Sequence, residues 1–441
     1  MPGAPKLHRV AGLFQVVTYG VGNIIGAGIY VLVGAASGLA GGAVWMAFLV
    51  GAVIALFTGL SYAELVSMYP RDASEYTYIG RAYGNKALSF LGQWMMLITE
   101  MVAAAAVSLG FAYYFQSILP SSIPLVAAGL LAALTIIAIK GIKQSLTLNT
   151  VLSAIAIGGL LIVIAAAVPK FGSVNYTISP TGTAGIFGAA ILVFFAYIGF
   201  DNIANLAEET KRPQRNLPRG LLIAVAITTV LYVLVGISAV TLAAPQKLAV
   251  SDAPLALAAS ATFGSTAYDV LTLAALLTTL NTVLVMLITS SRIVYGMSNE
   301  GVLPKALGRI SKRTGTPILA SLFTFLVALL FIPIGNVGIV AKITSFGSLV
   351  VFIIVNFALL HLRRTAPHFK RPFKVPLNIG WVSVTAVLGA VSCFLLLTQF
   401  DLLSIGLGLL LPISGMIVYV FTKGGKILEI DKKLHQQHEK R

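Results

Sequence analysis

Two short stretches could expose backbone to a ligand: Gly22-Asn23-Ile24-Ile25-Gly26-Ala27-Gly28-Ile29-Tyr30 and Phe195-Ala196-Tyr197-Ile198-Gly199-Phe200-Asp201. Each interrupts an apolar segment of membrane length. Unpaired N–H and C=O groups cost several kcal/mol in hydrocarbon, so broken backbone is tolerated there only where it lines a cavity or is buried in protein. Interruptions in matching halves of a chain point to a transporter's binding site. In the first stretch, Gly22, Gly26 and Gly28 lack a Cβ and let the backbone of Ile24, Ile25, Gly26, Ala27 and Gly28 approach a ligand closely. If the helix unwinds here, the next half-helix offers free N–H groups and the positive end of its dipole, which suit a substrate carboxylate. Gly22-x-x-x-Gly26 is also the spacing that packs two membrane helices closely, so this motif by itself leaves both readings open.

The second stretch favours the site. Asp201 stands among apolar neighbours, and an acid in mid-membrane costs about 2.5–3.5 kcal/mol on insertion scales, which makes it a functional candidate. Of the fourteen acidic residues only Glu100 and Asp201 fall well inside predicted spans. Both are coupling candidates, with hydrogen bonding to a neighbouring helix as the structural alternative. Phe194, Phe195, Ala196, Tyr197, Gly199 and Phe200 surround Asp201, and Phe195 and Phe200 are the aromatics placed to cover a substrate. Thr289, Ser290 and Ser291 bring hydroxyls together in a later span. They could ligate Na⁺ or, more commonly, bond their own helix backbone. Enzyme constellations are missing: the five histidines are terminal or at span ends, and His435-x-x-His438 has no further ligand nearby.

The elements that position these residues follow from composition. The chain has 441 residues, 58% of them hydrophobic and 10% charged, with a mean hydropathy of +0.94. A soluble domain carries roughly 25% charged residues, so this is an integral membrane protein. A spanning helix needs about 20 apolar residues. That criterion predicts twelve spans, near 13–38, 42–67, 87–118, 122–139, 146–168, 183–206, 219–243, 267–296, 316–334, 340–362, 378–398 and 402–422. With the N-terminus inside, only Lys170, Lys247 and Lys342 of the 30 Lys and Arg fall outside. This positive-inside bias puts both termini in the cytoplasm and accounts for the net charge of +16 without a nucleic-acid partner. The lone Cys393 can form no intrachain disulfide. The longest external loop is expected over 243–267, and residues 423–441 as a charged cytoplasmic tail, helical or frayed. Spans 1 and 6 each carry a break and each open a set of five. Because five is odd, the two sets (12–168 and 183–362) form an inverted repeat, with 378–422 as two additional helices. Glu64 with Tyr69-Pro70-Arg71, and the mixed-sign run 208–219, read as cytoplasmic loops able to latch an inner gate.

These residues resemble the amino acid–polyamine–organocation (APC) permeases. The stretch from Gly22 to Tyr30 looks like that family's first-helix motif. Phe194 to Asp201, running on through Glu208-Glu209-Thr210-Lys211-Arg212-Pro213-Gln214-Arg215-Asn216-Leu217-Pro218-Arg219, is similar to its sixth helix and following loop. Tyr62-Ala63-Glu64-Leu65 through Arg71, and Ser291-Arg292 through Glu300-Gly301, match as well. The resemblance implies an all-α polytopic membrane protein of twelve transmembrane helices, with the LeuT-like 5+5 inverted repeat, broken helices 1 and 6, and helices 11 and 12 appended. It implies a single permease domain in the cell membrane that imports or exchanges amino acids by alternating access and needs no cofactor. An α-carboxylate is expected at Ile24 to Gly28, an α-ammonium at carbonyls around Phe194 to Tyr197, and a gating aromatic at Phe195. Asp201 falls at an acidic position linked to cationic side chains or proton sensing, and the cationic amino acid transporter branch reads most like this stretch. A polyamine or organocation antiporter is the alternative; an unrelated twelve-helix carrier and a channel fit the residues less well. The pattern departs from the family at Ala156, which aligns with a lysine of proton-coupled relatives through Gly141-Ile142-Lys143 and Asn149. Coupling is therefore open between a proton on Asp201 or Glu100, Na⁺ at Ser290 and Ser291, and exchange.

Overall fold

The computed structural model describes residues 11–438, apart from 71–73, 141–145, 208, 300 and 312. Arg71, the stretch 141–143, Glu208 and Glu300 of the motifs above lie outside the described residues, as does the Asn149 side chain. The chain is helical almost throughout, because apolar residues in long runs satisfy their backbone internally only as helix. In chain order the helices are α1 (Leu13–Ile24), α2 (Ala27–Ala40), α3 (Val44–Met68), α4 (Ser74–Tyr83), α5 (Lys86–Gln116), α6 (Ile123–Ile139), α7 (Leu146–Ala167) and α8 (Thr183–Phe194). They continue with α9 (Pro213–Leu242), α10 (Pro245–Ala249), α11 (Pro254–Asn299), α12 (Ile318–Phe331), α13 (Val337–Thr365), α14 (Val384–Leu397) and α15 (Leu402–His438). Among the described residues, eight helical stretches are long and apolar enough to cross a membrane by length and composition, and three shorter apolar helices accompany them.

Polar residues punctuate these runs where helix ends need partners. Asn85 accepts hydrogen bonds from the Ala87 and Leu88 amides and caps α5; Asn336 does the same for α13, and Ser383 for α14. Proline opens α9 and α10, where its fixed φ suits the first helical position. The apolar window of α5 is 94% buried, against 22% for that of α15, so α5 is central and α15 peripheral. The run Ala103–Ala106, all at most 1% exposed, lets neighbouring helices approach α5 closely. Helices α11 and α13 pack on α5, while α3 packs on α9. Between α3 and α13 a buried polar cluster forms. Ser61 donates to Asn356 at 2.6 Å, and Asn356 donates to Thr58 at 3.1 Å.

Several expected boundaries move. The loop expected over 243–267 holds α10 and the start of α11, broken only by Gly264 at φ 72°. Proline at the start and an alanine-rich stretch favour helix there, which a hydropathy criterion does not register. Helix α9 begins at Pro213 rather than near 219, with Pro218 inside it. The span expected from 378 starts with a small antiparallel hairpin, β1 (Asn378–Ile379) and β2 (Val382–Ser383), turning at Gly380 with φ 62°. Its helix, α14, follows at Val384. The tail continues α15 as far as His438.

Candidate functional site

The first glycine stretch breaks its helix over two residues. α1 stops at Ile24, Ile25 takes φ −76° and ψ 67°, and α2 restarts at Ala27 after an extended Gly26 that no side chain caps. The Gly26 amide turns back to the Ile24 carbonyl at 2.7 Å. The start of α2 thus presents first-turn N–H groups, the standard orphan donors of a helix N-terminus. In the second stretch, α8 tightens into a 3-10 turn at Phe195–Tyr197. Ile198 is extended, Gly199 has φ 116°, and a second 3-10 turn runs over Asp201–Leu206. Only glycine adopts such a φ without strain. The Asp201 carboxylate accepts the Gly199 amide at 3.1 Å, which fixes this turn.

The two breaks lie against each other. A Cβ on Gly28 would stand 2.6 Å from the Ala196 Cα, and one on Gly199 would stand 2.9 Å from the Asn23 carbonyl oxygen. Tyr232 of α9 joins them further, its hydroxyl lying 2.6 Å from the Ile24 carbonyl and 3.0 Å from that of Ala196. Tyrosines recur in this role. Tyr30 donates to the Ala156 carbonyl at 2.5 Å, Tyr114 to the Tyr30 carbonyl at 2.9 Å, and Tyr197 to the Phe48 carbonyl at 3.0 Å. Each phenol supplies a donor to a carbonyl that hydrocarbon would leave unmatched.

Beside the breaks is a cavity of about 30 Å³, bounded by residues 22–23, 198–199 and 201–202, the α5 face Met96, Thr99, Glu100 and Ala103, and Asn281, Thr282, Val285 and Met286 of α11. That is room for a water molecule, whereas ligand pockets run to about 300–1,000 Å³, so the site is closed. Glu100 is held from two sides. Asn202 donates to Oε1 at 3.1 Å and Ser290 to Oε2 at 3.2 Å. The Asn23 amide nitrogen, a donor beside the break, is buried without a hydrogen-bond partner. Two carboxyls therefore face the cavity, and no Lys, Arg or His is among its lining residues. The electrostatic complement of such a wall is a cationic group or a proton.

Of the residues singled out in the sequence, Gly199, Asp201 and Glu100 line the cavity. Gly28 meets Ala196, Ile24 is joined to Ala196 through Tyr232, and Gly26 faces Thr282 of α11, while Ile25 and Ala27 stand between them at the break. Phe195 is 6% exposed in the second apolar core cluster, among α5 and α11 residues. Phe194 and Phe200 instead pack on Phe352, Phe200 also on Tyr62, and the Tyr197 ring on Tyr232. Ser290 reaches Glu100, whereas Ser291 bonds the Ile288 carbonyl of its own helix, the commoner use of a membrane serine. Ala156 contributes only its carbonyl, to Tyr30. Asn202, Asn281, Thr282 and Tyr232 were not anticipated. A polar Asn281-Thr282 pair inside an apolar span, one turn before Val285 and Met286, is the signal that marks this face.

On the α4 side of the site the chain is fastened twice. Ala11 bridges to Thr210: its amide donates to the Glu209 carbonyl at 3.0 Å and its carbonyl accepts the Lys211 amide at 2.8 Å. This ties the start of α1 to the segment that follows the second break. Glu64 at the end of α3 is fully buried and takes Arg363 of α13, Arg371 at 3.3 Å and the Val375 amide at 2.8 Å. Arg363 also bonds Asn378. The latch expected of Glu64 thus engages the end of α13 and the following loop, which no local sequence signal pairs with it.

The chain matches the amino acid permease family over residues 12–420. It is 31% identical over 425 residues to the branched-chain amino acid permease BcaP of Bacillus subtilis, covering 88% of this chain and 91% of that one. The methylthioribose transporter of the same organism is 30% identical, over 88% of this chain and 87% of its own. The cationic amino acid transporter 1 of Arabidopsis thaliana is 29% identical, over 86% and 68%. Paired helix breaks, a carboxyl-lined closed cavity and these matches converge on one conclusion: this multi-pass membrane protein belongs to the amino acid permease family of the APC superfamily, and is a transporter rather than an enzyme.

Proposed function

We propose that the protein carries an amino acid across the cell membrane by alternating access, with both termini in the cytoplasm. The substrate sits where the two breaks meet, its α-carboxylate on the first-turn amides of α2 and its α-ammonium at carbonyls of 194–197. Its side chain faces α5 and α11, with Glu100 and Asp201 beside it, and a cationic side chain is the expected preference. The carrying observation is the contact of Gly28 with Ala196 beside a cavity whose titratable lining residues are Glu100 and Asp201. The carbonyls of Ile24 and Ala196 are occupied by Tyr232 in the closed form, so opening exchanges that hydroxyl for substrate.

The element order supports twelve spans. The stretch Gly28–Met68 contains two of them, and the other seven long stretches and three shorter helices bring the total to twelve once span 1 is joined across its break. Breaks at the first and sixth spans fit a 5+5 inverted repeat, with α14 and α15 added. The deciding experiment is uptake into proteoliposomes of labelled arginine, leucine, alanine and putrescine under an imposed proton gradient, Na⁺ gradient or internal amino acid. Amino acid uptake supports the reading, and putrescine uptake without any amino acid uptake would sink it. Asp201→Asn is expected to lower arginine uptake at least about tenfold relative to leucine, since a buried ion pair that loses one partner costs several kcal/mol. An equal loss for both would remove the side-chain role.

A further inference from the structure

A second cavity lies away from the breaks, on the α4 side of the molecule. It is a groove of about 430 Å³ where the end of α13 meets α4, the hairpin and the start of α14. Phe357, Leu360, His361 and Arg364 line it from α13, Tyr83 from α4, and Trp381 and Val387 from the hairpin turn and α14. The α13 residues recur at helical spacing along one face. That face changes from apolar at Phe357 to charged at Arg364 over about 10 Å of helix. A groove graded in this way fits an amphipathic ligand with an anionic head.

Its charge follows from the sequence. Between Glu300 and Asp401 the chain holds no Asp or Glu, so α13, the connection after it, the hairpin and α14 bring basic side chains and no acid. Two of these, Arg363 and Arg371, are taken by Glu64. Arg364, Lys370 and Lys374 are instead exposed. The Arg364 guanidinium lies 5.9 Å from the centroid of the Trp381 ring, a contact that positions a planar donor fork suited to phosphate. His361 lies against the Tyr83 ring, with 5.1 Å between centroids.

The surroundings place the groove at the membrane surface. Leu377, Ile379 and Trp381, on and beside the hairpin, are 67%, 75% and 50% exposed. Clustered exposed apolar side chains mark a membrane-facing surface, and Trp and Tyr collect at headgroup level. From Val387, the exposed Val391, Phe394 and Leu395 continue along one face of α14, a path of the kind that an acyl chain follows.

We infer that this groove holds an anionic phospholipid, with the headgroup phosphate on Arg364 beside Trp381 and one acyl chain over Phe357, Leu360 and Val387. Basic pockets between membrane helices bind such headgroups. The lipid bridges α4, α13 and α14 next to the Glu64 cluster, and the site does not depend on which substrate is carried.

The test uses the full chain in detergent and reads tryptophan fluorescence while phosphatidylglycerol with brominated acyl chains is added, since bromine quenches only tryptophans it nearly touches. Trp381 is one of three tryptophans, and Trp381→Phe identifies its share of the signal. Saturable quenching of Trp381 is expected, with brominated phosphatidylcholine needing at least about fivefold more lipid for the same effect, as one basic contact to the headgroup implies. Arg364→Gln should weaken the phosphatidylglycerol response by a similar factor, while Arg309→Gln, which removes an exposed cation between α11 and α12, should leave it unchanged. Equal responses to the two lipids, or equal weakening by the two arginine variants, would reduce the effect to general membrane contact and overturn the inference. Displacement of the brominated lipid by inorganic phosphate at millimolar concentration would also overturn it, by showing an anion site that does not read the lipid. Quenching that Trp381→Phe leaves intact would place the lipid elsewhere.

Discussion

At the scale of single residues, glycine decides how closely the two breaks approach. Position 28 cannot take a methyl group, because the atom it would meet at 2.6 Å is backbone, the Ala196 Cα, and not a side chain able to rotate away. Gly158 on α7 is a contrast within the same membrane region: nothing lies within 4 Å of its built Cβ. Gly28→Ala is therefore expected to lose about 1–3 kcal/mol of stability by overpacking and to abolish counterflow by prying the seam apart. Gly158→Ala should leave both unchanged or slightly improved, since helical glycine costs roughly 1 kcal/mol relative to alanine. Thermal unfolding in detergent and counterflow, measured on both variants, separate the cases; equal behaviour would remove the seam from the mechanism. Much of this site was legible in residue types. Glycine spacing marked the breaks, and an acid surrounded by apolar neighbours marked Glu100 and Asp201. Side-chain direction was not legible. Phe200 and Tyr197 sit beside the break in sequence but turn towards Tyr62, Phe352 and Tyr232, because a 3-10 turn and a positive φ at Gly199 redirect the chain away from helical spacing.

At the scale of elements, the Glu64 latch joins α3 to α13 and to the loop before β1. One carboxylate faces Arg363 and Arg371 with almost no solvent to share the charge. Removing one partner of such a buried cluster is expected to cost about 3–5 kcal/mol, because the remaining charges stay unpaired. Glu64→Gln should therefore lower the unfolding temperature sharply. Glu64→Gln combined with Arg363→Met should recover part of the loss by removing one of the two stranded cations. A double variant no more stable than the single one would show that the cluster does not act as a unit. The helices themselves follow from apolar run length and from caps such as Asn85 and Asn336. What local sequence cannot supply is the partner: residues 64 and 363 are 299 positions apart, and only close packing of α3, α13 and α14 brings them together.

At the scale of the whole molecule, the cavity beside the breaks has space for water and not for an amino acid. The sole cysteine, Cys393, is fully buried and hydrogen-bonded to Thr58 at 3.7 Å. The unmodified chain is thus expected to resist a membrane-impermeant maleimide, since thiol reactivity requires exposure. Met286→Cys places a thiol in the cavity wall. It should label slowly, and faster when substrate is present on one side and cycling occurs. A rate independent of substrate would show that the cavity lies off the transport path.

By itself the sequence determined a membrane-embedded helical chain, the places where two of its helices break, and the acids worth attention. These are local properties: hydrocarbon permits only internally bonded backbone, glycine relaxes the Cβ constraint, and charge in mid-membrane is costly. Tertiary structure alone decided that the two breaks touch, that Tyr232 joins their carbonyls, and that Asn202 and Ser290 hold Glu100 from opposite sides. It also placed the buried Glu75 against the Tyr62 hydroxyl. These relations depend on which helix faces meet. In a chain this uniformly apolar, hydrophobic pattern alone cannot choose among faces, and close packing of small residues and shared hydrogen bonds make the choice.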